Sequence, residues 1–150
     1  MPRLLASWFG TGLILRRIRG SDSGSGTVTS LFTLPVAVVV GEIWGWPAQL
    51  VLLVVTVAVG YRALGTLSAE GDASWITIDE AAGTMTATVG LGWGPGLLAL
   101  VVFRIADIAK RPFPGVSEAE TFHGPTGVIG DDLVAGLYGL LAGHLLAAFI

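Results

Sequence analysis

Three clusters of charge stand against apolar sequence: Asp79 with Glu80, directly before AAG; Arg104, Asp107 and Lys110; and Asp131 with Asp132, directly before LVAG. Ionisable side chains beside apolar segments are costly unless paired, hydrated or bound to a metal, so each cluster is a candidate site. Asp79, Glu80, Asp131 and Asp132 offer the hard oxygen donors that Mg²⁺ takes. Adjacent residues on a helix diverge by about 100°, so both acids of a pair serve one ion only near a helix N-terminus. Capping and complementing the helix dipole are the other uses of an acid at that place. Capping accounts for one acid of each pair, and metal binding accounts for the second. The i, i+3, i+6 spacing sets Arg104, Asp107 and Lys110 along one side of a helix, one carboxylate between two cations. A self-neutralising ladder is the ordinary reading of such a row, but the apolar setting of this helix points to a site. His123, in the turn-rich HGPTG, reads by itself as an exposed loop histidine, and beside Asp131 as a proton donor or phosphate contact. His144, in an apolar run away from the charge clusters, reads as structural.

The elements that must position these residues are apolar. Hydrophobic residues make up 53% of the 150-residue chain and charged ones 13%, with a mean hydropathy of +0.77, the balance of a membrane protein of one domain over residues 1–150. The absence of cysteine excludes disulfides, thiolate nucleophiles and cysteine-ligated zinc. A net charge of −3 leaves no nucleic-acid footprint. The first fifteen residues carry one arginine and an apolar run broken by Gly10, Thr11 and Gly12, with no small-residue cleavage site after them, so a signal peptide is not expected. Arg16, Arg17 and Arg19, with Lys110 and Arg111, place their end of the protein on the cytoplasmic side.

Residues 16–27 (RRIRGSDSGSGT) read as a surface loop, and residues 28–40 as an apolar segment. Glu42, Trp44, Gly45, Trp46 and Pro47 form an interfacial turn into a second apolar segment over residues 49–64. Neither segment plainly reaches the roughly 20 residues of an upright span, so short, tilted or partly immersed helices are expected as readily as clean spans. A polar stretch covers residues 68–74. The threonines and glycines after Asp79 suit close helix packing or an extended strand, and helix is preferred. Residues 97–110 form a helix stopped by Pro112 and Pro114. Residues 133–150, with no formal charge, are the best transmembrane candidate.

Read in order, FRIADIAKRPFP (residues 103–114) and HGPTGVIGDDLVAG (residues 123–136) resemble the phosphatidylglycerophosphatase A family of bacterial lipid phosphatases. IDEAAG (residues 78–83) is similar to that family's acidic D-E-x-x-G element, and GTVTSL (residues 26–31) to its N-terminal G-T-x-G-S-L element, so the likeness covers most of the chain. Thr29 stands where the family usually has glycine and Ser25 where it has proline. Arg111 intrudes between Lys110 and Pro112, and the loop over residues 16–24 is longer than typical. No acidic residue of the motifs is lost. The resemblance implies an all-helical fold, here a compact bundle of about five to six apolar helices, membrane-embedded or membrane-associated. It also implies Mg²⁺-dependent removal of the terminal phosphate from phosphatidylglycerophosphate, giving phosphatidylglycerol, at the bacterial inner membrane with the site on its cytoplasmic face.

On that reading Asp79, Glu80, Asp131 and Asp132 hold one or two Mg²⁺ ions, and Arg104 and Lys110 bind phosphoryl oxygens. Asp107 orients those cations or joins the metal shell. His123 protonates the leaving alkoxide, and Gly26 and Thr27 add backbone or hydroxyl donors to the phosphate. Two other lipid-enzyme patterns, P-S-G-H and D-G-x-x-A-R, are absent. The competing classes are a small transporter, whose charges belong near the middle of spans, and a noncatalytic membrane scaffold, which tolerates loss of single acids.

Overall fold

Long apolar runs with few charges must satisfy their backbone internally, and helices do so within one segment. The structure is a computed structural model that describes residues 1–67 and 74–150, apart from the side chains of Arg16 and Arg19. Among these residues it is all-helical, as expected. The helices are α1 (Pro2–Ala6), α2 (Ile14–Arg19), α3 (Ser25–Trp44), α4 (Trp46–Thr66), α5 (Ile78–Thr88), α6 (Trp93–Ala109), α7 (Val116–Glu120) and α8 (Pro125–Ala147). Five of them, α3, α4, α5, α6 and α8, make the bundle. Helices α3, α4 and α8 are long and apolar enough to cross a membrane, by length and composition. The polar stretch over residues 68–74 lies outside the described residues up to 73.

Three boundaries differ from expectation. The loop over residues 16–27 is shorter, because α2 holds its first residues and α3 its last; Gly24, at φ +86°, makes the entry turn that a side chain would resist. Ser25 is helical because its hydroxyl finds the Ser74 carbonyl, which ties down the start of α3. The two apolar segments are also longer, 20 residues in α3 and 21 in α4. Only Gly45, at φ +80°, separates them, so the tryptophans belong to the helices and not to a turn. Helix α8 begins at Pro125, whose missing N–H is harmless in a first turn. Asp131 and Asp132 therefore lie almost two turns inside the helix, and capping does not apply to them.

Threonine-rich α5 is a helix because its hydroxyls bond back to the preceding turn: Thr84 donates to Glu80 O (2.7 Å), Thr86 to Ala82 O (2.9 Å) and Thr88 to Thr84 O (2.9 Å). All three hydroxyls are thereby satisfied where water does not reach. Helix α8 packs most extensively on α5 and α6. Phe103, Leu100, Ala99, Ala87 and Ala135 make one apolar core there, and Ile78, Ile129, Ala63, Leu64 and Ile76 make a second. The outward side chains of the bundle are apolar as well, among them Val51, Val54 and Val55 on α4 and Leu137, Leu141 and Leu145 on α8. A surface of that kind suits lipid.

The chain runs up and down, so the starts of α3, α5 and α8 and the ends of α4 and α6 gather at one end of the bundle. All three charge clusters are there. At the other end, buried Gln49 acts as a clamp: its Nε2 donates to Ala37 O (2.9 Å), and its Oε1 accepts from Gly90 N–H (2.7 Å). Gln49→Leu leaves the Gly90 N–H without this acceptor and takes one donor from the Ala37 carbonyl. It should lower stability by about 1–3 kcal/mol, read as a fall in Tm in detergent with activity at the far end retained.

Candidate active site

Helix α5 opens with Asp79 and Glu80 in its first turn, and α8 carries Asp131 and Asp132 on the element packed against it. Asp107 comes from α6. Two groups form: carboxylate oxygens of Asp79, Glu80 and Asp132 lie within 4.8 Å of one another, and so do those of Asp107, Asp131 and Asp132. Asp132 is common to both. Asp131 and Asp132 share the second group from mid-helix, where side chains about 100° apart were expected to diverge; Asp107 on the neighbouring α6 completes that group.

The cluster is poorly neutralised. Asp79 Oδ1, Glu80 Oε2 and Asp132 Oδ2 are each buried with no hydrogen-bond partner in the structure. Burial, followed by the charges of Glu80 and Asp132, pushes the Asp79 carboxyl well above its ordinary range. Burial also raises Glu80, against the pull of its hydrogen bond with Asp79 and of the Arg104 charge. Gly26 on α3 makes room for Glu80: a Cβ at Gly26 would fall 2.0 Å from Glu80 Oε1. Five carboxylates face two cations here, and an oxygen-lined, electron-rich pocket of this kind fits a hard divalent ion.

The two cations are held differently. Arg104 Nη1 lies 2.8 Å from Asp107 Oδ2, one turn along α6. The contact is a charge pair and not an aligned hydrogen bond, and Arg104 Nε is buried without a partner. Lys110 follows the end of α6 with φ +49°, a conformation few side chains adopt. From there its Nζ reaches Asp131 Oδ2 (2.8 Å) and Glu120 Oε1 (2.9 Å). Burial lowers the Lys110 pKa, but those two hydrogen bonds and charges outweigh it and hold the ammonium well above the ordinary lysine range. Lys110 is a fixed positive charge.

Asp79, Lys110, Glu120 and Asp131 line a cavity of about 380 Å³ together with the apolar Leu64, Leu67, Ile76 and Phe122. It is amphipathic. The profile of the phosphatidylglycerophosphatase A family matches residues 4–147.

The chain belongs to the phosphatidylglycerophosphatase A family. No curated protein and no solved structure gives a significant match. Family membership makes a phospholipid the expected substrate class and agrees with three helices fit for a membrane. None of the departures from the family pattern is a member of the acid groups. Thr29 is fully buried, with its hydroxyl 2.8 Å from that of Thr11, so the side chain replacing glycine ties α3 to the N-terminal segment. Arg111 is exposed in the turn after Lys110.

The remaining expected site residues are placed less centrally. His123 is exposed on the loop between cavity-lining Phe122 and Gly124. Gly26 is buried against Glu80, and Thr27 lines a separate groove between α3 and α6. His144 Nε2 lies 3.0 Å from Val89 O at the far end. Glu120 was not legible in the sequence, where an acid on the short α7 has no spacing relation to Lys110.

Proposed function

We propose that the chain is a Mg²⁺-dependent phosphatidylglycerophosphatase that removes the terminal phosphate of phosphatidylglycerophosphate, leaving phosphatidylglycerol in the membrane. The observation that carries the reading is the meeting of five carboxylates with Arg104 and Lys110 beside a cavity lined by both charged and apolar side chains. Asp79, Glu80 and Asp132, with Asp107 and Asp131 on the second side of Asp132, are the residues that would hold Mg²⁺. Bound there, the ion would offset phosphoryl charge and make a water acidic enough to act as nucleophile.

The chain's own groups supply the rest. In the reaction a water oxygen bonds to phosphorus, the bond from phosphorus to the glycerol oxygen breaks, and that oxygen takes a proton. Lys110, steadied by Asp131 and Glu120, offers ammonium protons to a phosphoryl oxygen at the cavity wall. Arg104, steadied by Asp107, presents an unspent Nε–H. His123 stands exposed between the cavity-lining Phe122 and Gly124, where it can give a proton to the leaving oxygen. The basic residues at this end of the bundle, Arg16, Arg17, Arg19, Lys110 and Arg111, favour the cytoplasmic face of a bacterial inner membrane.

The direct test is phosphate release from phosphatidylglycerophosphate in mixed micelles, with Mg²⁺ and then with chelator. Release that persists in chelator, or none from folded protein with any divalent ion, rejects the proposal. Lys110→Gln keeps length and removes charge. It should raise KM by about tenfold to a hundredfold, the loss of one charge-assisted hydrogen bond of about 1.5–3 kcal/mol; an unchanged KM would remove Lys110 from phosphate binding.

A further inference from the structure

A second cavity, of about 430 Å³, runs between α3 and α6, and the function just proposed does not use it. Its walls are Leu31, Leu100, Val101, Ile105 and Ile108, with Thr27, Ser30 and Arg104 as the polar members. From Leu100 to Ile108 the groove follows α6 for about 12 Å. Leu31, Val101 and Ile105 are each about half exposed, so it opens on the outer surface, beside a helix fit to cross the membrane.

Two polar groups in this wall have no partner. Ser30 is fully buried, and its hydroxyl makes no hydrogen bond; the buried Arg104 Nε makes none either. Both atoms are buried and the groove's open surface is apolar, so its occupant is hydrocarbon. Arg104, midway along the α6 wall, joins the groove to the acidic site, because its guanidinium meets Asp107. Groove and phosphate site are adjacent.

We propose that this groove receives one acyl chain of the lipid phosphate while the phosphate lies among the carboxylates. This rests on the phosphatase reading for the identity of the head group. The groove acts as the site's selector for membrane substrates: a phosphate monoester without long chains lacks the apolar hold.

The experiment uses the full-length protein in micelles with phosphatidylglycerophosphate carrying a diazirine on one acyl chain, followed by mapping of the photo-adducts. Adducts should concentrate on Leu31, Val101 and Ile105, and unlabelled phosphatidylglycerophosphate should compete them away. Equal labelling of Val51, Val54 and Val55 on the outer face of α4, or labelling centred on Leu64 and Val128 in the other cavity, overturns the proposal. Val101→Trp fills the groove at a half-exposed position that a folded protein tolerates. It should raise KM for the long-chain substrate about tenfold, as expected from losing two or three buried methylenes. Turnover of a short-chain, water-soluble analogue should not change, and an equal loss for both substrates counts against the groove. The two proposals fail separately. Competed groove labelling without phosphate release upholds the groove and rejects the phosphatase reading, whereas phosphate release with labelling elsewhere rejects the groove alone.

Discussion

Asp132→Asn should reduce phosphate release from phosphatidylglycerophosphate by on the order of 10³-fold while leaving the helical fold intact. Asp132 is the one carboxylate in both acid groups, it is 3% exposed, and one of its oxygens has no partner. The amide keeps the shape of the side chain and takes away a negative charge, so a cation loses a ligand whichever group holds it. Several kcal/mol of charge stabilisation convert to the stated factor at 1.36 kcal/mol per tenfold. Stability gives a second readout with the opposite sign. In chelator the variant should melt no lower than the parent, because one of several crowded carboxylates has lost its repulsive charge. With Mg²⁺ the parent should gain Tm through binding to the folded state, and the variant should gain much less. Asp107→Asn touches one group only and should lose less activity. Equal, small losses for both variants would mean that Asp132 is not the shared ligand.

The acids, Arg104 and Lys110 were legible in the sequence because charge beside apolar sequence is conspicuous and the motifs are short. Their grouping was not. Pro125 is a helix-start signal set among the turn-forming Gly124, Thr126 and Gly127, so Asp131 and Asp132 resemble a capping pair when they are interior residues. What lets them face inward at that depth is the closeness of α5 and α6, a tertiary fact carried by glycines. Apolar runs revealed the long helices, but the lengths of α3 and α4 were underestimated, since Glu42 and the tryptophans have the polarity of a turn and a single glycine suffices to reverse the chain. Glu120 left no trace in the sequence, because it matters through Lys110, a neighbour remote along the chain.

Gly136→Val should disable the protein by a different route. A Cβ at Gly136 would lie 2.7 Å from the Gly83 carbonyl oxygen and 2.8 Å from Thr86 Cβ, so α8 could accept a side chain only by moving off α5. Flexible side chains can yield to such a clash, but the backbone of a packed helix cannot. Overpacking of this sort costs about 1–3 kcal/mol, and close approach through small residues is the main source of helix affinity where lipid surrounds the bundle. The position also couples stability to the site. Gly136 is one turn beyond Asp132, and Gly83 is one turn beyond Asp79, so separating the helices here pulls the two acids apart. The variant should therefore show a lower Tm and lose the stabilisation by Mg²⁺ together. Gly65→Ala is the control: a Cβ there meets nothing within 4 Å in α4, and replacing a helical glycine should raise stability by about 0.5–1 kcal/mol without touching activity. If Gly136→Val retained both its Tm and its response to Mg²⁺, the glycine contact would not be what sets the spacing of the carboxylates.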